Sequence, residues 1–292
     1  MTDADPTIID ELLRNTLELR SLDLREEPPD DRLPTDDLLD VLRHRDLLEA
    51  LLDSPLDRRD LEARLAVSRA TSHRFTRWLE AEGYAERRDG VYHLTGEGEA
   101  VAEAVVGFER TVRTADRLAP LLDAVCEDHR DFLVEPFEDA TVTVATPSDP
   151  YAPVTRFLGL LRECDRVRGF NTTHMVPPGS TDRSGDPFAD CEAELIYLPD
   201  VIETLRNADE GGSRRALDDD DRHLKLLTRD ALPYGLALFD SPDGSRVGIG
   251  GYDEETGAMR VFVDTDTPLA LAWAERVYET FRRDSVPLSG PA

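Results

Sequence analysis

Apolar residues first fall into helical order at Ile8, Ile9, Leu12, Leu13 and Leu17, predicting a short helix over 7–20. Residues 26–37, with Pro28, Pro29 and Pro34 among acids, read as a linker. Leu38, Leu39, Leu42, Leu47, Leu48 and Leu51 then predict one amphipathic helix, ended by Ser54-Pro55-Leu56. Asp57, with Asp60 three residues on, predicts a capped second helix burying Leu61 and Leu65. Ala66-Val67 predicts a tight turn, and Ser68 caps a third helix that runs to about Glu82 and ends at Gly83. Strands are predicted at Tyr84–Arg87 and Val91–Leu94, joined by Asp89-Gly90, a strong hairpin signal. Helix, helix, turn, helix and hairpin is the order of a winged helix.

Thr95 caps a longer helix. Val101, Ala104, Val105, Phe108, Val112, Ala115, Ala119 and Leu122 recur at spacings of three and four. That stripe is longer than one small domain buries, so it predicts a homodimer. Beyond it the period alternates. Strands are expected at 141–145, 165–170 and 192–198, and helices at 151–163 and 199–207. Four further strands are expected at 224–228, 234–239, 246–251 and 259–264, arranged as a meander. A last helix has Thr267 as N-cap and Pro268 at its first position, and buries Leu269, Trp273, Val277 and Phe281. The expected class is α+β: a helix and acidic linker over 1–36, a winged helix-turn-helix over 37–95, a linker or dimerisation helix over 96–125, and an α/β domain with a mixed sheet over 131–285.

Charge changes the picture. The 292 residues carry a formal net charge of -28, which repels polyanions at low salt. Of 34 basic residues only Lys225 is a lysine, a bias that resembles proteins of extreme halophiles. At molar salt the Debye length falls to roughly 3 Å and surface self-repulsion stops mattering. Between Ser54 and Leu94 the balance reverses, with eight arginines against seven acids, and from Ser68 to Leu79 there is no acid at all. On a helix Arg69, His73, Arg74 and Arg77 share the outer face, with Ser72, Phe75, Trp78 and Leu79 inward. Arginine reads guanine O6 and N7 bidentately. Arg87 and Arg88 beside the hairpin turn suit phosphate or minor groove, and Ser68 and Thr71 suit phosphate. Double-stranded DNA is the expected partner; some winged helices bind proteins instead, and that alternative stays open.

Two segments carry a family resemblance. Pro55-Leu56-Asp57-Arg58-Arg59-Asp60-Leu61, Val67-Ser68-Arg69-Ala70-Thr71 and Arg87–Thr95 resemble archaeal winged-helix transcription regulators. Leu232-Pro233-Tyr234-Gly235-Leu236 and Pro268–Glu275 resemble the sensor domain of those proteins, which is named from a methanogenesis regulator. The resemblance covers roughly 37–285 and implies a DNA-binding homodimer whose second domain senses a metabolite; residues 1–34 depart from it.

Other chemistries have weaker footholds. His223, Lys225 and Asp230 fit the His-x-Lys-x4-Asp pattern of phospholipase D-like phosphodiesterases, whose histidine attacks phosphorus. That chemistry needs two copies of the motif, which a dimer would have to supply. Cys126, His129, Cys164, His174 and Cys191 would have to converge to bind zinc, and only Cys126 and His129 are close in sequence, so neither metal nor cofactor is expected. Sparse cysteines and the absence of a signal-like start predict a reducing cytoplasm. No apolar run approaches membrane-spanning length. Asn171, Thr172, Thr173 and His174 follow a predicted strand end, where open α/β sheets hold ligands, and are the expected effector site.

Overall fold

The computed structural model describes residues 33–125, 132–173, 191–207, 224–253 and 255–288. The expected helix at 7–20, the acidic loop 208–221, and Cys126, His129, His174 and His223 lie outside them. The described chain forms two compact units that meet in sequence between Arg113 and Thr114.

The first unit opens with two helices where the pattern predicted one. α1 (Thr35–Arg43) and α2 (Arg45–Asp53) are broken at His44, whose backbone sits at φ -100 and ψ 13. His44 stacks flat on Trp78, 3.9 Å between ring centres, so a tertiary contact holds the break. Only α2 is core, through Leu47, Leu48 and Leu51; Leu38 and Leu39 stay exposed. β1 (Leu56–Asp57) leads into α3 (Arg58–Arg64), and Asp57 caps α3 in the reciprocal box with Asp60. Ala66 makes the turn at φ 52, and α4 (Arg69–Ala81) follows. α4 closes with Tyr84 N–H on the Leu79 carbonyl (2.9 Å) and Gly83 N–H on that of Glu80 (3.4 Å), with Gly83 at φ 75.

β2 (Ala85–Arg88) and β3 (Val91–Leu94) form the hairpin, with Asp89 and Gly90 both at positive φ as a two-residue turn requires. β1 adds to β3, giving a three-stranded sheet in the order β1-β3-β2. That strand was not anticipated, because two residues carry no period. α5 (Gly96–Leu122) starts at Thr95, whose hydroxyl donates to the Gly83 carbonyl (2.8 Å) and accepts Gly98 N–H (3.0 Å). A Cβ at Gly98 would stand 1.9 Å from the Tyr84 carbonyl oxygen, so only glycine lets the helix approach the hairpin this closely. The face of α5 differs from the expected stripe. Ala102, Val105, Leu118 and Leu121 are buried, whereas Phe108 and Val112 stay 56% and 52% exposed.

The second unit is one eight-stranded sheet. Its strands are β4 (Thr141–Val144), β5 (Arg166–Asn171), β6 (Glu192–Tyr197), β7 (Leu224–Thr228), β8 (Gly235–Ser241), β9 (Gly244–Tyr252), β10 (Met259–Thr265) and β11 (Val286–Pro287). The spatial order is β11-β7-β6-β5-β8-β9-β10-β4. β5, β6 and β7 run parallel, and β8 pairs antiparallel with β5. The predicted meander is therefore not a separate layer; it continues the parallel sheet. α6 (Ala152–Glu163), α7 (Pro199–Asn207) and α8 (Pro268–Arg283) supply the flanking layers.

On one face α8 buries Trp273, Val277 and Tyr278 with Leu118, Leu121 and Phe137. On the other, α6 buries Val154, Leu158 and Leu161 with Tyr197 and Phe262. Thr267 precedes α8 as expected but makes no side-chain cap; its hydroxyl donates to the Pro136 carbonyl at 2.9 Å.

Charges also cross this sheet. Arg168 on β5 pairs with Glu275 on α8 and with Asp240 on β8. Beside it in register, Glu194 on β6 accepts bonds from Lys225, Tyr278 and Arg282. Burial opposes its ionisation, but those bonds outweigh burial and hold its carboxyl at about 2. A folded-state value below the usual one stabilises the fold above about pH 4 and loses that contribution as pH falls toward 2. Replacing Glu194 with Gln is expected to lower Tm by about 4–8 °C at pH 7, equivalent to about 2 kcal/mol. The gap from wild type should close as the buffer is acidified, which calorimetry across pH would record.

Candidate nucleic-acid interface and effector cavity

α4 is positioned by its inner face. Leu79, Ser72 and Thr76 are buried, and Phe75 and Trp78 are half-buried. Thr76 was not expected inside; its hydroxyl is satisfied by the His73 carbonyl at 3.1 Å. Trp78 is gripped between His44 and Tyr84, the latter edge-on at 5.4 Å. Ser72 donates to the Glu62 carboxylate (2.7 Å), and Arg58 lies 3.8 Å from the same group. The acid of α3 nearest to α4 is thereby drawn inward. His44 and Glu62 gave no sequence signal, because their roles exist only once α2, α3 and α4 pack together.

The outer face presents Arg69, His73, Arg74 and Arg77, all exposed. Among the described residues no carboxylate pairs with any of these three arginines. Ser68 and Thr71 are partly committed to capping. Ser68 Oγ accepts Thr71 N–H at 3.2 Å and lies 3.0 Å from the Thr71 hydroxyl. The first turn of α4 contains no acid of its own, so no carboxylate from within the helix opposes its positive dipole end. At the hairpin, Arg87 lies 5.8 Å over the Tyr92 ring, and Arg88 pairs with Glu86 on its own strand. Arg87 is thus oriented by an aromatic face, whereas Arg88 already has a counter-charge.

In the second unit, Asn171 ends β5 and donates to the Tyr252 phenol oxygen at 2.8 Å. Its carbonyl oxygen accepts Thr173 N–H at 3.4 Å, and Thr172 and Thr173 are half-buried. Asn171 also lines a cavity of about 30 Å³, room for about two waters. Its lining includes Phe157, Tyr197, Tyr252, Met259 and Phe262. Its floor contains Gly235, Gly248 and Gly250. A Cβ at Gly250 would stand 2.9 Å from the Tyr252 hydroxyl, and one at Gly248 would stand 2.3 Å from the Phe262 ring. The glycines are slots in which those rings lie flat on the sheet. Burial pushes the Tyr197 and Tyr252 phenols up, so both are neutral hydrogen-bonding groups.

The rival chemistries fare differently. Lys225 gives its ammonium to Glu194 at 2.6 Å, inside the network under α8. Cys164 and Cys191 meet, with sulfurs 3.3 Å apart. Among the described residues no three metal-ligating side chains cluster, and no helix is long and apolar enough to cross a membrane.

An exposed arginine helix within a winged helix, followed along the chain by a long helix and a mixed-sheet α/β unit, defines a two-domain architecture. Residues 33–117 match the family model of the HVO_A0261 N-terminal domain, and residues 150–284 match that of the middle domain of the methanogenesis regulatory protein FilR1. Each match covers one of the two parts of the chain and less than half of its length.

No curated protein sequence matches it. Among solved structures, TrmBL2, an archaeal chromatin protein described as showing a novel mode of DNA binding, aligns at 13% identity and TM-score 0.37, over 87% of this chain and 100% of its own. NucT from Helicobacter pylori aligns at 14% identity and TM-score 0.37, over 51% of this chain and 99% of its own. The phospholipase D family member Nuc from Salmonella typhimurium aligns at 11% identity and the same score, with the same coverages.

Proposed function

We propose that this chain is a DNA-binding transcription regulator, not an enzyme, which reads the major groove with α4 as a homodimer and responds to a small ligand held by its second unit. The observation that carries the reading is the unpaired outer face of Arg69, His73, Arg74 and Arg77 on a helix whose inner face is fixed by Trp78, Ser72 and Leu79. Arg87 of the hairpin would reach the adjacent backbone or minor groove, and Ser68, Thr71 and Arg88 would add phosphate contacts only by exchanging their present partners. The lysine-poor, acidic remainder suits molar salt in a cytoplasm, where counterion release contributes little and short-range arginine contacts must carry affinity. A phosphodiesterase role is disfavoured because Lys225 is committed to Glu194.

The dimer seam is the outward face of α5. Ala104, Phe108 and Val112 follow one another at four-residue spacing and are exposed. A second copy of the same helix is the occupant that suits them, since a two-fold pair of winged helices spans two half-sites. The effector site is the glycine-floored cavity lined by Asn171, with Thr172, Thr173 and His174 next in sequence. Its lining suits a small, largely apolar molecule with one hydrogen-bonding end, admitted when the Tyr252 ring leaves its slot.

Three outcomes are expected. Selection from a randomised duplex pool at molar KCl should recover a preferred sequence, and Arg69→Ala/Arg74→Ala should bind it at least about tenfold more weakly, at unchanged Tm. No enrichment, or equal binding by the variant, would sink the recognition-helix assignment. Light scattering should find wild type dimeric at micromolar concentration and Phe108→Glu/Val112→Glu monomeric but folded; a monomeric wild type removes the seam. Native mass spectrometry of protein equilibrated with an extract of its own cells should show a small-molecule adduct that Asn171→Ala/Thr173→Ala loses. Absence of an adduct, or its survival in the variant, rejects the effector site.

A further inference from the structure

Cys164 terminates α6 and Cys191 immediately precedes β6, so the two lie on different elements with all of β5 between them. They nevertheless meet. Their sulfurs are 3.3 Å apart, and the residues are 5% and 4% exposed. The frame around them is fixed by backbone bonds: Glu192 N–H donates to the Asp165 carbonyl at 2.9 Å, and Asp165 N–H donates to that of Asp240 at 2.9 Å. The Leu161 carbonyl, also 3.3 Å from the Cys164 sulfur, is an alternative acceptor for its single proton.

Two chemistries bring buried thiols together. Thiolates about 2.3 Å from one tetrahedral zinc stand about 3.8 Å apart and need two further ligands. Here the sulfurs are closer than that, and no third ligand clusters with them among the described residues. A disulfide needs about 2.05 Å, so sulfurs already at 3.3 Å have little more than about 1 Å to close.

We propose that Cys164 and Cys191 form a reversible dithiol–disulfide pair, closed by a small peroxide and reopened by a small dithiol. The oxidant must be small because both sulfurs are buried. The Cys191 thiolate attacks one peroxide oxygen; the O–O bond breaks, and the departing hydroxide takes up a proton as water. Cys191 is left as a sulfenic acid. The Cys164 sulfur then displaces that hydroxyl, forming the S–S bond, and its own proton leaves with the hydroxyl as a second water. Two thiols and one hydrogen peroxide give one disulfide and two waters, with two electrons passing from sulfur to peroxide. The order follows from the contact itself. The hydrogen bond from Cys164 lowers the Cys191 thiol below its usual range, while the same bond and burial push Cys164 up. Closure ties the end of α6 to the head of β6 and encloses β5, Asn171 and Thr173 in a covalent loop.

The test uses the full chain with Cys126→Ser, which leaves only this pair. Protein at molar KCl is treated with hydrogen peroxide or with a phosphine reductant, quenched in acid, unfolded and alkylated with N-ethylmaleimide. The oxidised sample should lose two hydrogen atoms per chain, take no label and yield one cross-linked peptide joining Cys164 to Cys191. Its Tm should rise by about 5–15 °C, as expected when a loop of this length is closed in the unfolded chain, and dithiothreitol should reverse every change. Further substitution of Cys164→Ser or Cys191→Ser should abolish the bridge. Full labelling of both cysteines after peroxide, sulfinic acid without a bridge, or a bridge only between chains would each overturn the proposal.

Discussion

A chain with a net charge of -28 can meet a polyanion only where it withholds carboxylates from its own arginines. Many arginines elsewhere are instead paired. Arg45 pairs with Glu109, Arg64 with Asp53, Arg168 with Glu275 and Arg282 with Glu194. Arg156 and Arg246 both close on Asp264, a carboxylate with no exposed surface. With acids in such excess, pairing is the default fate of a guanidinium. Arg69, Arg74 and Arg77 escape it because the sequence from Ser68 to Leu79 contains no acid, and because Ser72 draws Glu62 away from the outer face. The DNA-reading proposal depends on that exemption, since an arginine already paired would have to surrender one partner to gain another.

The exemption would be worth little on a loose helix. α4 is capped by Ser68, closed at Gly83 and pinned by Trp78 between His44 and Tyr84. Each restraint acts on the inner face or on an end, leaving the outer side chains free to adapt to a groove. Bidentate readout needs a fixed backbone and an unengaged side chain. In molar salt, where diffuse attraction is screened beyond roughly 3 Å, that geometry is what remains to provide affinity.

What could be read from the sequence was what local rules decide. The Asp57-Asp60 capping box, the Asp89-Gly90 turn, the Ser68 cap and Pro268 at the head of α8 all stand as expected, because each needs only residues within a turn of one another. What was hidden is what distant residues decide together. The break at His44 exists for Trp78, more than thirty residues later. β1 is a strand only because Tyr92 arrives opposite Leu56. Sequence order could not say that the meander extends the parallel sheet, because β8 pairs with β5 rather than with its predecessor β7. Periodicity marked α5 as amphipathic along a stripe that includes Phe108 and Val112, and the core took a different set. Apolar residues occur on more than one side of it, and the core took Val105 and Leu118 while leaving Phe108 and Val112 outside.

The two faces of the second unit divide the work unequally. Under α8, Arg168, Glu194, Glu275 and Arg282 cross from strand to helix, and Trp273 and Tyr278 pack beside them. A face stitched by charges that are costly to separate when partly buried resists sliding. The face under α6 is anchored by ion pairs too, Arg156 and Arg246 on Asp264, but its glycine floor is held by none. There two rings, Tyr252 and Phe262, rest on bare backbone at Gly250 and Gly248, and one amide, Asn171, holds the phenol. Moving such a ring breaks one neutral hydrogen bond and some dispersion, a far smaller cost than opening an ion-pair network. A soft glycine floor beside such anchors can accept a ligand without the sheet losing its register, and that local softness is the physical ground for seeking the effector at Asn171 rather than beneath α8.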